Sequence, residues 1–100
     1  MAKFLIDSLS VFFPTYNEEA NIKKTVLTSR DVLEQTAERW EIVIVNDGSI
    51  DATPAISKKL QEKDERIRVV THNPNKGYGA TIKTGFRTAK YPWVAFTDSD

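Results

Sequence analysis

Four short apolar runs rich in β-branched and aromatic residues, Leu9–Phe13, Trp40–Val45, Arg66–Thr71 and Trp93–Thr97, alternate with three stretches whose apolar residues recur at helical spacing. The first helical stretch, 19–38, carries Ile22, Val26, Leu33 and Ala37 on one stripe. The second opens at Pro54, where the first turn of a helix tolerates proline, and runs to Lys63 with Ile56 and Leu60 one turn apart. The third covers Tyr78 to Ala89, with Ile82, Phe86 and Ala89 as its expected buried stripe. Strands separated by helical crossovers build an α/β fold, a parallel sheet with helices on both faces. The second run is almost wholly apolar, as a strand covered on both sides must be. Right-handed crossovers leave few topologies, and the order 3-2-1-4 is expected, with a switch point between strands 1 and 4. Ligands of such sheets bind beyond the carboxyl ends of the strands, near the switch. Chemically capable residues should therefore gather after strands 1, 2 and 4.

Composition narrows the classes of function. One hundred residues are enough for one compact domain. Fourteen basic residues balance fourteen acidic ones, which argues against a nucleic-acid binder, normally marked by a basic excess. Lys58, Lys59, Lys63, Arg66 and Arg68 cluster, but Glu62, Asp64 and Glu65 are interleaved with them, as on a solvated helix face. There is no cysteine, so disulfides and thiolate metal sites are excluded, and a reducing compartment fits. The apolar run at the start is too short for a signal peptide. No stretch approaches the roughly 20 apolar residues of a membrane-spanning helix. The chain stops directly after a core strand, and a fragment of a longer protein is expected. An uncovered strand edge would favour self-association.

The polar segments fall where the switch-point rule puts them. After strand 1, Pro14 stiffens the exit, Tyr16 offers a flat ring for a nucleobase, and Glu18 can accept hydrogen bonds from base or ribose. The same segment also reads as a helix cap, with Asn17 capping and Glu18 and Glu19 at the positive helix end. After strand 2, Asp47 can accept the ring N–H of uracil or guanine, and Gly48 lets the backbone come close. Ser49 or Asp51 can cap the following helix. Gly77 and Gly79 open the third helix, but a dinucleotide fingerprint needs glycine where Ile82 stands, and it follows the wrong strand. Close packing is the plainer role there, with Lys76 or Lys83 facing phosphate oxygens. After strand 4, Asp98 and Asp100 flank Ser99. Hard oxygen ligands at this spacing suit Mg²⁺ or Mn²⁺ held mainly through phosphates; the alternative is an Asx turn that merely ends the strand.

Taken together and in order, Pro14-Thr-Tyr-Asn-Glu-Glu19, Val45-Asn-Asp-Gly-Ser-Ile-Asp51, Asn75-Lys-Gly-Tyr-Gly-Ala80 and Thr97-Asp-Ser-Asp100 resemble the inverting family 2 glycosyltransferases of GT-A fold. The resemblance covers Ser10 to Asp100 and is strongest to polyprenyl- and dolichol-phosphate sugar transferases. It implies that residues 1–100 form the nucleotide-sugar-binding part of such a domain, cut after a D-x-D motif. Pro14, Tyr16, Glu18, Val45 and Asp47 would line the base and ribose pocket. Asp98, Ser99 and Asp100 would form the D-x-D, with Asp100 ligating the cation and Asp98 assisting it or holding the sugar and ribose. Asn46 stands where many relatives have aspartate. The implied reaction transfers a sugar from a UDP- or GDP-sugar to a polyprenyl phosphate or a glycan. Its general base belongs to a later segment, so the fragment alone is expected to be inactive. The expected location is cytoplasmic, with the full-length parent at the cytoplasmic face of a membrane. A non-catalytic nucleotide-binding or scaffold module is the alternative. A receiver-like domain would want an acidic pair where Pro14-Thr15-Tyr16 stands.

Overall fold

A computed structural model describes residues 5–99. The elements run β1 (Ile6–Thr15), α1 (Ile22–Thr36), β2 (Ala37–Asn46), α2 (Thr53–Lys63), β3 (Ile67–Thr71), α3 (Tyr78–Thr88) and β4 (Val94–Phe96). All pairings are parallel and the order is β3-β2-β1-β4, as the alternation of runs predicts. Among the described residues no helix is long and apolar enough to cross a membrane.

Strand period explains the two-sided core. Phe13, Ile42, Ile44 and Ile67 point to one face, where Ile22, Val26 and Leu33 of α1 and Leu60 of α2 cover them. Phe12, Val43 and Val45 point to the other, under α3. Burying apolar side chains of this size contributes about 1.5–3 kcal/mol each, which makes the sheet interior the main stabilising region.

Three local departures from the sequence pattern have physical causes. β1 continues through Pro14 to Thr15. Ser10 N–H donates to the Trp93 carbonyl, so even-numbered residues of β1 face β4, whose pairing stops at Phe12. Pro14 lies beyond the last residue of β1 paired with β4, so its missing N–H interrupts no observed rung. Helix α1 begins at Ile22 rather than 19, because Asn17 takes a left-handed φ of 51° and residues 18–21 form a turn. On α3 the buried residues are Thr81 and Gly85, while Phe86 is 50% exposed. A side chain at Gly85 would overlap the Phe12 ring, so the helix seats backbone-first on the sheet. That rolls Phe86 to the rim, where its ring meets Phe12 edge-on at 5.2 Å.

Candidate functional site

The site is built where the chain leaves β1, β2 and β4. Hydrogen bonds between the first two exits come first. Asn17 N–H donates to Ser49 Oγ at 2.9 Å, and Asn17 Oδ1 accepts from Ile50 N–H at 2.9 Å. Glu18 N–H donates to Thr53 Oγ1 at 2.8 Å, and Glu19 N–H to Asp51 Oδ2 at 3.2 Å. Asp51 Oδ1 also accepts from Thr53 N–H. Burial would raise the Asp51 carboxyl pKa, but these bonds outweigh it and hold it below the ordinary range. Asn17, Ser49, Asp51 and Thr53 thus knit one loop to the other. Neither Ser49 nor Asp51 is the N-cap of α2, a position held by Ala52, and α1 is entered from Asn21 without a side-chain cap.

The second exit is then joined to the loop before α3. Asp47 is buried, and its Oδ1 accepts from Lys76 N–H at 2.7 Å while Oδ2 accepts from Gly77 N–H at 2.8 Å. His72 Nδ1 lies 2.9 Å from Asp47 Oδ1, and His72 Nε2 lies 2.8 Å from Thr84 Oγ1 on α3. Burial alone would raise the Asp47 pKa; the Lys76, His72 and Gly77 donors overcome it and keep the carboxylate ionised. A carboxylate accepts about four hydrogen bonds. With these donors in place, one lone pair of Oδ2 has no partner among the described residues. Gly48, at φ 69°, approaches the Asn75 backbone: a Cβ there would lie 2.8 Å from Asn75 N. The close approach that this glycine permits is to the chain itself.

The third exit supplies Asp98. Its Oδ1 accepts from the Tyr78 hydroxyl at 3.1 Å, a bond that raises the phenol pKa. Ser99 is buried, its carbonyl accepting from Thr25 Oγ1 of α1 while its own hydroxyl has no partner among the described residues.

These three exits and the loop before α3 enclose a cleft of about 430 Å³ lined by Pro14, Thr15, Tyr16, Glu18, Asp47, Asn75, Gly77, Tyr78, Thr81, Asp98 and Ser99. Of the residues expected from sequence, Pro14, Tyr16, Glu18, Asp47, Asp98 and Ser99 meet there. Tyr16 is 47% exposed, leaving ring surface for a ligand. Val45 does not join them: the strand period turns its side chain into the core with Phe12 and Val43, so it backs the cleft without lining it. Lys76 and Lys83 are not among the lining residues. Asp100 lies outside the described residues. Asn75 and Tyr78 belong to the Asn75–Ala80 segment named from sequence, with no role assigned to either, and Thr81 and His72 were not singled out. What brings His72 to the site is the β2–β3 register, in which the pairing Asn46↔Thr71 puts positions 47 and 72 side by side.

Among the described residues no group of three or more His, Cys, Asp or Glu side chains is placed to hold a metal ion. Asp98 is one exposed hard oxygen donor at the rim. That is compatible with a cation such as Mg²⁺, which is commonly held by one or two carboxylates plus ligand phosphates.

The family model for Glycosyl transferase family 2 matches residues 10–100. The dolichyl-phosphate beta-glucosyltransferase of Saccharomyces cerevisiae is 34% identical over 98 residues, which cover 92% of this chain and 29% of that protein. The mannosyltransferase PcManGT from Pyrobaculum calidifontis, solved with GDP-Man and Mn²⁺, superposes with a TM-score of 0.79 at 26% identity over 92% of this chain and 27% of its own. S. aureus TarS 1-349, solved with UDP-GlcNAc, gives 0.77 at 28% identity over 93% and 26%. The chain therefore spans less than a third of the length of these relatives.

Proposed function

Because the chain belongs to glycosyl transferase family 2, we propose that its cleft is the donor half of an inverting glycosyltransferase, taking a UDP- or GDP-sugar together with Mg²⁺ or Mn²⁺. The observation that carries this reading is the meeting of Tyr16, Asp47 and Asp98 in one cleft at the switch point. Tyr16 stacks on the base, and Glu18 accepts from the ribose. The free lone pair of Asp47 accepts the ring N–H of uracil or guanine. Asp98, with Asp100 two positions on in the sequence, would hold the cation beside the donor's diphosphate. The metal supplies Lewis-acid stabilisation of the departing diphosphate. Bound GDP-Man with Mn²⁺ in one neighbour and UDP-GlcNAc in another support this assignment.

The transfer itself is attack by an acceptor oxygen on the anomeric carbon, forming the new glycosidic bond as the bond to the diphosphate breaks. The acceptor proton goes to a general base. Glu18, Asp47 and Asp98 are committed to donor and metal in this assignment, so the 100 residues alone bind donor without transferring sugar. The dolichyl-phosphate relative supports a polyprenyl-phosphate acceptor, and a glycan is the second acceptor class. With a polyprenyl phosphate, the full-length protein works at the cytoplasmic face of a membrane. Calorimetric titration with UDP and GDP, with and without MnCl₂, tests the donor site. Binding strengthened by Mn²⁺ in the unaltered chain, and losing that increment in Asp98→Ala, is the expected result. Metal-independent binding unaffected by Asp98→Ala would refute the metal assignment, and no binding at all would refute the donor site.

A further inference from the structure

We propose that His72 is a positioning residue of the cleft, bridging α3 to the Asp47 carboxylate and holding it so that one lone pair of Oδ2 is left for the ligand's base. The inference rests on the functional reading above and adds a residue to it. Asp47 has three donors within the chain, but Lys76 N–H and Gly77 N–H belong to an exposed loop, 73–77. His72 differs in being 7% exposed and fixed at three points. Its own N–H donates to the Asn46 carbonyl at 2.9 Å, continuing the β2–β3 ladder. Its ring then spans from Asp47 Oδ1 to Thr84 Oγ1.

The donor roles follow from the partners. A carboxylate only accepts, so Nδ1 carries the proton toward Asp47. In the neutral ring Nε2 accepts from the Thr84 hydroxyl; if the ring gains a proton, the hydroxyl rotates and accepts instead. The bridge therefore persists in either state. It works as a strut between β3 and α3. Without it, only the Lys76 and Gly77 amides of the loop restrain the broad terminal torsion of Asp47, and Oδ2 presents its lone pair to the cleft less consistently.

Two substitutions separate this role from simple packing. In His72→Asn the side-chain amide nitrogen falls near the position of Nδ1, which keeps the donor to Asp47. In His72→Gln the amide falls near Nε2, which keeps the Thr84 contact and loses the donor to Asp47. The chain and both variants are titrated with UDP and with GDP in MnCl₂, and amide hydrogen exchange is read at Lys76 and Gly77 without ligand. The expected result is Kd within about threefold of the unaltered chain for His72→Asn and weakened about tenfold for His72→Gln, the range of one lost hydrogen bond to a charged group. Lys76 and Gly77 amides exchange faster in His72→Gln alone. Equal behaviour of the two variants, in binding and exchange, would overturn the proposal. If His72→Gln does not fold, Thr84→Val decides: it leaves the ring and removes its far support, and unchanged Kd and exchange there would equally overturn it. Failure of the unaltered chain to bind either nucleotide would defeat the functional reading and His72's role within it. Intact binding with unaltered exchange in His72→Gln would defeat the positioning alone.

Discussion

Glu41, within β2, and Asp47, just past its end, are both buried acids on the same face of the sheet, yet they end in opposite conditions. Both clamp the crossover that contains α3. Glu41 holds its far end, accepting from Lys90 N–H at 2.7 Å, Ser10 Oγ at 2.6 Å and Arg68 Nε at 2.9 Å, with Arg68 Nη2 at 2.6 Å. Arg68 in turn donates to the Thr88 carbonyl, and Tyr91 N–H to Ser10 Oγ. Asp47 holds the near end through Lys76 and Gly77. The Glu41 carboxylate is saturated and sits away from the cleft. That of Asp47 keeps one vacant lone pair and lines it. The same device secures the fold at one end and serves a ligand at the other, and the difference lies in one unspent acceptor.

The comparison breaks most visibly at Glu41. Glu41→Ala leaves Ser10 and Lys90 N–H without their acceptor and frees the half-exposed Arg68, and a loss of about 2–3 kcal/mol is expected from leaving the donors around it unsatisfied. Denaturant unfolding measures it. Nucleotide affinity of the folded fraction should change little, and a loss of binding matching that of an Asp47 variant would erase the distinction. Asp47→Asn should do the reverse. Replacing an acceptor oxygen by a donor amide at the cleft costs UDP or GDP binding about tenfold or more, in the range of a charge-assisted hydrogen bond. Its thermal stability should fall less than that of Glu41→Ala.

Acid should affect both ends. For Glu41, burial would raise the pKa, but hydrogen bonds from Ser10, Lys90 N–H and Arg68 overcome it. Both carboxyls are thus held below their ordinary values of 4.5 and 3.8. Their stabilisation is complete above those values and is lost as pH falls through the depressed folded-state values. Melting temperature should therefore decline on that acid side, less steeply in Glu41→Gln, which has no proton to gain. An equally steep decline would remove Glu41 from the acid response. The smallest effect is expected from Tyr78→Phe. Its hydroxyl contacts Asp98 at an exposed site, so its removal should change the Mn²⁺-dependent increment in nucleotide binding by less than about threefold. A larger change would move Tyr78 from the rim of the cleft to its metal-binding centre.

How much of this was legible in the sequence depends on the range of the interaction. Strand order followed from alternating periodicity, crossover handedness and the placement of polar segments, all readable along the chain. The meeting of Tyr16, Asp47 and Asp98 followed from that order. What stayed hidden depends on contacts between distant residues. Asn17 looked like a helix cap because its partners Ser49 and Ile50 lie more than thirty positions away. Phe86 looked buried because helical periodicity cannot register that the Phe12 ring leaves room at Gly85 for backbone only. Val45 was placed in the pocket by resemblance, whereas strand alternation already turned it inward with Val43. His72 is a lone histidine whose significance needs the β2–β3 register, and Glu41 on a near-continuous apolar strand needs Arg68 brought alongside it.

The vacant acceptor of Asp47 is tested most directly by the identity of the base. Uracil and guanine present a ring N–H where cytosine and adenine present a ring nitrogen acceptor. Calorimetric titration of the chain with UDP, GDP, CDP and ADP in MnCl₂ should show UDP or GDP binding at least about tenfold more tightly than CDP and ADP, as expected when a buried acceptor meets a lone pair instead of a donor. Equal affinity for all of these nucleotides would mean that Asp47 does not read the base.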